Sequence, residues 1–175
     1  MSQGFEEAKE RRNWLERLTD KIPGFRGFQN RELRRDVDRM QREHISKELG
    51  QFKIAVRGKA QAYTDAGQIG VLHLFDRLDR RLDGLSQAVR FAEYGASGFF
   101  DVVKIYELEL ESLYQFDLSV LEDLSRLAGD LAAIPLPGQG DPTGAVEQAL
   151  SRLATLEDKW ASRKNVISNV VRASQ

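Results

Sequence analysis

The chain has 175 residues, of which 41% are apolar and 30% are charged, a composition typical of a globular domain with a sizeable core. No apolar run approaches the roughly 18 residues of a membrane span, and the first residues lack the basic and then apolar order of a signal peptide. The absence of cysteine excludes disulfides, thiol catalysis and thiolate metal sites, and we expect a cytoplasmic protein.

The net charge of −1 conceals an asymmetry along the chain. Residues 1–63 carry a net charge of +5, whereas residues 64–175 carry a net charge of −6. The densest acidic block is 101–130, in which eight acidic residues are opposed only by Lys104 and Arg126. Either the two oppositely charged parts pair with each other in the fold, or the basic part binds an anionic partner.

The first predicted helix covers about Phe5–Thr19 and carries a narrow apolar stripe. A second helix is predicted from Asn30, a good N-cap residue, to about Tyr63. Its apolar residues form two sets that lie roughly 120° apart around the helix axis. We therefore expect this helix to bury different faces at its two ends, or to bend near Leu49-Gly50. The sets are Leu33, Val37, Met40 and His44, and then Ile45, Leu49, Phe52, Val56, Ala60 and Tyr63.

A turn at 64–67 leads into a third predicted helix, which continues to about Tyr94. Its apolar residues alternate steps of three and four, as an antiparallel helical pair requires. A fourth helix is predicted over 107–133, and a fifth from Thr143 after a loop rich in proline and glycine. The stretch 99–106 tolerates a strand, but a single strand has no partner, so we expect a connector. The seam of the third helix is Phe75, Leu78, Leu82, Leu85, Val89 and Ala92.

Together these elements predict an all-α fold, a helical bundle of about five helices in a single domain over 1–175. A long antiparallel helical hairpin over 30–95 forms its centre. Residues 1–29 supply an N-terminal amphipathic helix and a corner, and residues 96–175 supply two further helices joined by the proline- and glycine-rich loop.

Two similar glycine–aromatic sequences lie at helix boundaries, Gly24-Phe25-Arg26-Gly27-Phe28 and Gly95-Ala96-Ser97-Gly98-Phe99. Because glycine adopts backbone conformations closed to other residues, we expect a positive φ at one or more of the four glycines. Phe28 and Phe99 are expected to be buried beside these corners. The G-x-x-G spacing also occurs in the loop with which KH domains clamp nucleic acid, but that module needs a sheet. We interpret the glycines as helix ends and points of close packing.

No residue pattern predicts a catalytic, cofactor-binding or metal-binding residue. Neither of the two histidines, His44 and His73, follows a glutamate at the three-residue spacing of di-iron bundles, and His73 is expected at the surface. A nucleophile motif, a phosphate loop and a dinucleotide fingerprint are all missing. The arginine-rich segment 31–43 is interleaved with acidic residues at ion-pairing spacing, which argues against nucleic-acid binding.

Asp117 is an acidic residue that falls near the centre of an apolar helix face. A buried carboxylate is costly unless it is paired, so we expect a partner, with His44 as the first choice. An arginine from the second helix, or the hydroxyl of Tyr63, Tyr94 or Tyr106, is an alternative. The buried group either fixes the helix register, or binds a ligand and responds to pH through His44. The apolar face around Asp117 is formed by Leu110, Leu113, Tyr114, Leu121, Leu124 and Ala128.

For function, the sequence favours a non-enzymatic helical interaction or scaffold protein that binds a protein partner or self-associates through the long hairpin. One alternative is a peripheral membrane protein that docks through the first helix, with Phe5, Trp14 and Phe25 at the lipid interface. Acidic residues in the same helix oppose binding to anionic lipid, and the helix can instead cap its own bundle. A second alternative is a ligand- or metal-binding bundle with a well-formed pocket.

Overall fold

The computed structural model describes the backbone of residues 31–92 and 107–173, and the side chains of 39–92, 115–163 and 165–166. Over these residues the chain is helical and contains no strand. The predicted all-α bundle is therefore confirmed for the part of the chain that the structure describes. The helices are α1 (Arg31–Asp65), α2 (Leu72–Arg90), α3 (Glu107–Ala133) and α4 (Thr143–Ala173), with a short 3-10 helix (Ile69–Val71) before α2.

The helix boundaries follow the predicted ones closely, with one exception. The bounds of α3 coincide with the prediction, and α4 begins at Thr143 as expected. However, α2 ends at Arg90 instead of continuing to Tyr94. The chain leaves the helical conformation at Phe91, whose φ of −102° and ψ of 12° no longer extend the helix.

The predicted turn after α1 ends that helix in a Schellman motif. Gly67 adopts a φ of 71°, a left-handed conformation that glycine reaches without a steric penalty. The amide of Gln68 donates to the carbonyl of Tyr63, and the amide of Gly67 donates to the carbonyl of Thr64, both over 2.9 Å. These two bonds satisfy carbonyls that the end of a helix would otherwise leave free.

The predicted bend near Leu49-Gly50 does not interrupt α1, which is helical from Arg31 to Asp65. The expected change of face is also wrong over the described side chains, because the buried residues follow one stripe. Gln41, a polar residue, extends this stripe towards the N-terminus, while Met40 and His44 are half-buried. The buried residues of α1 are Gln41, Ile45, Leu49, Val56 and Tyr63, which lie four or seven residues apart.

The chain divides into two compact units, each assembled from separate stretches of sequence. Unit 1 comprises Met1–His44, Ala92–Leu121 and Ser162–Gln175, and unit 2 comprises Ile45–Phe91 and Glu122–Ala161. Helices α1, α3 and α4 contribute residues to both units, whereas α2 belongs to unit 2.

Unit 2 encloses an aliphatic and aromatic core between four helical segments. The predicted seam of α2 is buried from Phe75 to Val89, while Ala92 is half-buried. The rings of Phe75 and Tyr63 lie with their centroids 5.3 Å apart. Each large apolar side chain buried here stabilises the fold by roughly 1.5–3 kcal/mol. The core residues of unit 2 from α3, α4 and the connecting loop are Leu124, Leu127, Leu131, Ile134, Val146, Ala149, Leu150, Leu153, Leu156 and Trp160.

Ion pairs align α1 with α2 as an antiparallel pair, in agreement with the predicted hairpin. Arg57 donates two hydrogen bonds to Asp79, over 2.7 and 3.0 Å, and Lys53 pairs with Asp83. Hydrogen bonding and the nearby positive charge of Lys53 lower the pKa of Asp83, and the same effects from Asp79 raise the pKa of Arg57. Two bases of the positively charged N-terminal part thus pair with carboxylates of the acidic part.

Further ion pairs in unit 2 align the remaining helices. Between α3 and α4, Asp130 pairs with Arg152 and Asp123 pairs with Lys159, an antiparallel arrangement. Between α2 and α4, Arg81 pairs with Glu157, and Arg77 lies 3.6 Å from Glu147, a parallel arrangement.

At the end of α1 in unit 2, the side chains of Tyr63 and Lys59 bond to the chain that leaves α3. The hydroxyl of Tyr63 donates to the carbonyl of Pro135 over 3.1 Å, and the ammonium group of Lys59 donates to the carbonyl of Ile134. Unit 2 is therefore built from two antiparallel hairpins, α1–α2 and α3–α4, with α1 beside α3 and α2 beside α4.

Candidate functional site

The first candidate site is a buried ion pair within unit 1. Asp117 is only 3% exposed, in agreement with its position on the apolar face of α3, and Arg163 of α4 is 8% exposed. The guanidinium of Arg163 donates from Nε to Oδ1 over 2.9 Å and from a terminal nitrogen to Oδ2 over 3.0 Å. This two-point geometry holds both side chains in one orientation.

The partner of Asp117 differs from those that the sequence suggested. We expected His44, an arginine from the second helix, or a tyrosine, but the observed partner comes from the last helix. His44 is half-buried in α1. The position of Arg163, three residues after Trp160 and ten after Leu153, places it on the buried side of α4. That spacing was the available signal for Arg163.

A second buried polar group in unit 1 was missed by the sequence reasoning. Gln41 of α1 is 2% exposed, and its side-chain amide nitrogen has no hydrogen-bond partner. The signal was its spacing, since Gln41 precedes Ile45 by four residues and Leu49 by eight and so lies on the same side of the helix. A buried amide without a partner costs roughly 1–3 kcal/mol, so this part of unit 1 is less favourable than a wholly apolar core.

The third candidate is a surface of α1 within unit 2, which we name the outer seam. Ile54 lies at its centre, is 73% exposed, and stands nine residues after Ile45, which places it on the opposite side of the helix. The spacing of the exposed positions alternates steps of four and three, the pattern of a helix surface that meets another helix. The outer seam consists of Lys47, Gln51, Ile54, Gly58, Gln61 and Asp65, all of them exposed.

Gly58 in the outer seam has no role in packing within the chain. Its φ is not positive, and a Cβ at this position would meet no atom within 4 Å. Glycine inside a helix costs roughly 1 kcal/mol relative to alanine, so the fold of a single chain would be better served by alanine. A glycine at such a position allows close approach of another backbone.

The residues named for a membrane or partner contact, Phe5, Trp14 and Phe25, lie outside the described residues. The same holds for the corner residues, which therefore keep their status as predictions. None of the helices described is apolar over a stretch long enough to span a membrane. The corner residues are Gly24, Gly27, Phe28, Gly95, Gly98 and Phe99.

Other side chains that the sequence analysis considered for binding are placed at the surface. His73 is exposed, as expected, and one of its ring nitrogens lies 2.9 Å from the carbonyl of Gly70. Arg39 and Glu43 form an exposed pair at 3.8 Å along α1. Within 31–92 and 107–173, no three histidine or acidic side chains form a group that could hold a metal ion.

Comparison with protein families, with curated proteins and with solved structures finds no match for this chain. Its function is therefore inferred from the geometry of its own residues.

Proposed function

We propose that this chain is a non-enzymatic helical interaction protein of the cytoplasm, which binds a protein partner through the outer seam of α1. The observation that carries the proposal is the exposure of Ile54 within six positions spaced as on a helix that meets another helix. Gln51, Gly58 and Gln61 surround it, so the middle of this surface is uncharged on a chain in which 30% of residues are charged.

The charges on other surfaces of unit 2 support this interpretation because they are engaged within the chain. Arg57 pairs with Asp79, Arg81 with Glu157, and Arg152 with Asp130. These contacts join neighbouring helices and hold α1 against the rest of unit 2. A partner that binds the outer seam would therefore meet a surface whose backbone is already ordered, which lowers the entropic cost of binding.

The proposal is tested by capture of proteins from a lysate of the native host on the immobilised full chain. The matched variants are Ile54→Asp, in the outer seam, and Ile69→Asp, which changes another isoleucine of similar exposure, at 69%, outside it. We expect the unmodified chain and Ile69→Asp to retain the same proteins, and Ile54→Asp to lose them. Capture of no protein above the bead background, or equal capture by all three, would contradict the proposed function.

A further inference from the structure

We infer that the partner of the outer seam is a second copy of this chain, bound antiparallel along α1 about a two-fold axis. The inference rests on the proposed function and names its partner. It follows from the order of residues in the seam, which reads the same way in spacing from either end. From Lys47 to Asp65 the steps are four, three, four, three and four.

An antiparallel copy aligned so that paired residue numbers add up to 112 places every seam position opposite another seam position. Ile54 then faces Gly58 of the second copy, and Gly58 faces Ile54 in return. An isologous two-fold interface requires this reciprocity. The large apolar side chain meets the position without a side chain, so the two helices can approach closely where the helix itself gains nothing from glycine.

The ends of the seam are complementary in charge in the same register. Lys47 of one copy stands opposite Asp65 of the other, and this pair occurs twice about the axis. Gln51 stands opposite Gln61, and two amide side chains can hydrogen-bond to each other. A parallel arrangement in register would instead place Lys47 beside Lys47 and Asp65 beside Asp65, so the charges favour the antiparallel orientation.

The seam spans 18 residues of helix, a length of about 27 Å, so it is a small interface and the dimer is expected to be weak. Sedimentation of the full chain at protein concentrations from about 1 µM to 1 mM therefore covers the range in which association should appear. We expect the mass to rise from monomer to dimer over this range.

Two sets of variants then test the surface and the register. Ile54→Asp should weaken dimerisation by about a hundredfold or more because each copy loses a buried apolar contact and gains a buried charge, whereas Ile69→Asp should leave it unchanged. Lys47→Glu should weaken dimerisation by about tenfold, and the double variant Lys47→Glu/Asp65→Lys should restore it by reversing both charges.

Several results would overturn the inference. A wild-type chain that stays monomeric at every concentration would assign the seam to a different protein, and the capture experiment would then stand by itself. A dimer that Ile54→Asp and Ile69→Asp affect equally would place self-association on another surface. Failure of the double charge reversal to restore the loss in Lys47→Glu would exclude the antiparallel register.

Discussion

At the scale of single residues, the pair of Asp117 and Arg163 places two charges in the interior of unit 1. Both side chains lose their hydration there, and their two hydrogen bonds offset that loss. Such a pair adds little net stability relative to apolar residues of the same volume, but it penalises any arrangement in which the two do not meet. We therefore interpret the pair as a determinant of the register of α3 against α4.

Removal of one member should be far more costly than removal of both. We expect Asp117→Ala to lower the free energy of unfolding by about 3–5 kcal/mol, because Arg163 keeps a buried charge without a carboxylate. Asp117→Asn should cost less, since the amide oxygen still accepts a hydrogen bond, and Asp117→Leu combined with Arg163→Met should be close to neutral. Urea unfolding of the four proteins measures this. A loss below about 1 kcal/mol for Asp117→Ala would show that the pair is not buried in solution.

Tyr63 should make the fold sensitive to alkaline pH. Burial, and then the negative charge of Asp141, raise the pKa of its phenol above 10.0, so the folded state holds the neutral form. This contribution is complete below pH 10 and is lost as the pH rises through the raised pKa, because the unfolded chain loses the proton first.

The variant Tyr63→Phe tests this expectation. It should lower the free energy of unfolding at pH 7 by about 1 kcal/mol through the lost hydrogen bond to Pro135, and it should flatten the decline in stability above pH 10. Thermal unfolding followed by circular dichroism between pH 7 and 11 measures both effects. The same alkaline decline in Tyr63→Phe and in the unmodified chain would assign the titration to other groups.

At the scale of elements, the start of α4 depends on a side-chain cap. Asp141 accepts hydrogen bonds from the hydroxyl of Thr143, over 2.7 Å, and from its amide, over 3.0 Å. Pro142 follows the cap in the position where a helix needs no amide donor, and the amide of Val146 donates to its carbonyl. The two bonds from Thr143 lower the pKa of Asp141 below 3.8.

Removal of this cap should destabilise the protein and change its response to acid. We expect Asp141→Ala to lower the melting temperature by about 2–4 °C at pH 7. Because the pKa of Asp141 is lowered in the folded state, its contribution is present above pH 3.8 and is lost as the pH falls through the lowered pKa. The variant should therefore lose less stability than the unmodified chain between pH 5 and 2. Parallel acid titrations of the two would contradict this role.

The glycine of the outer seam offers a matched comparison with a glycine of α2. Gly58 and Gly84 are both exposed and helical, and neither would place a Cβ within 4 Å of another atom. We expect Gly58→Ala and Gly84→Ala each to raise the free energy of unfolding by up to about 1 kcal/mol in dilute protein. Only Gly58→Ala should weaken association at high concentration, where its methyl group meets Ile54 of the second copy. Equal sedimentation of the two variants would contradict the proposed contact.

Helix positions and their buried faces could largely be predicted from the sequence, because apolar periodicity within one segment reports which side of that helix is buried. The seam of α2 and the bounds of α3 were obtained in this way. Periodicity does not report which helix covers a given face, so the partner of Asp117 was expected on the second helix and lies on the last. Gln41 was missed because a glutamine is usually exposed, and here tertiary packing overrides that preference.

The outer seam was missed for a related reason. Its spacing is present in the sequence, but the buried stripe of α1 repeats at similar intervals on the opposite side of the helix. Only the structure shows which of the two stripes faces the core and which is exposed, since both Ile45 and Ile54 are isoleucines. An exposed isoleucine by itself is unremarkable. Its position between the glycine and the charged ends of the seam is what suggests a partner.

At the scale of the whole molecule, the account assigns different roles to the two kinds of polar contact. Ion pairs such as Lys53–Asp83 and Asp123–Lys159 connect helices within one chain. Lys47 and Asp65, by contrast, stand at opposite ends of an exposed helix face, where charge reversal can reveal a contact between chains. The central claim is that this face joins two copies in an antiparallel register.

Disulfide trapping tests that claim most directly, because the chain contains no cysteine that could interfere. A disulfide requires the two Cα atoms to lie within about 7 Å of each other. Residues 51 and 61 are about 15 Å apart along one helix, so they cannot join within a chain. In the antiparallel dimer, however, residue 51 of one copy faces residue 61 of the other.

We therefore predict that Gln51→Cys combined with Gln61→Cys forms a covalent dimer under mild oxidation, whereas the single variants Gln51→Cys and Gln61→Cys do not. The measurement is non-reducing gel electrophoresis of the full chain, with Ile54→Asp added to the double variant as a control that should abolish the product. Efficient cross-linking of the single variants, or no dimer from the double variant at concentrations where the chain sediments as a dimer, would contradict the account.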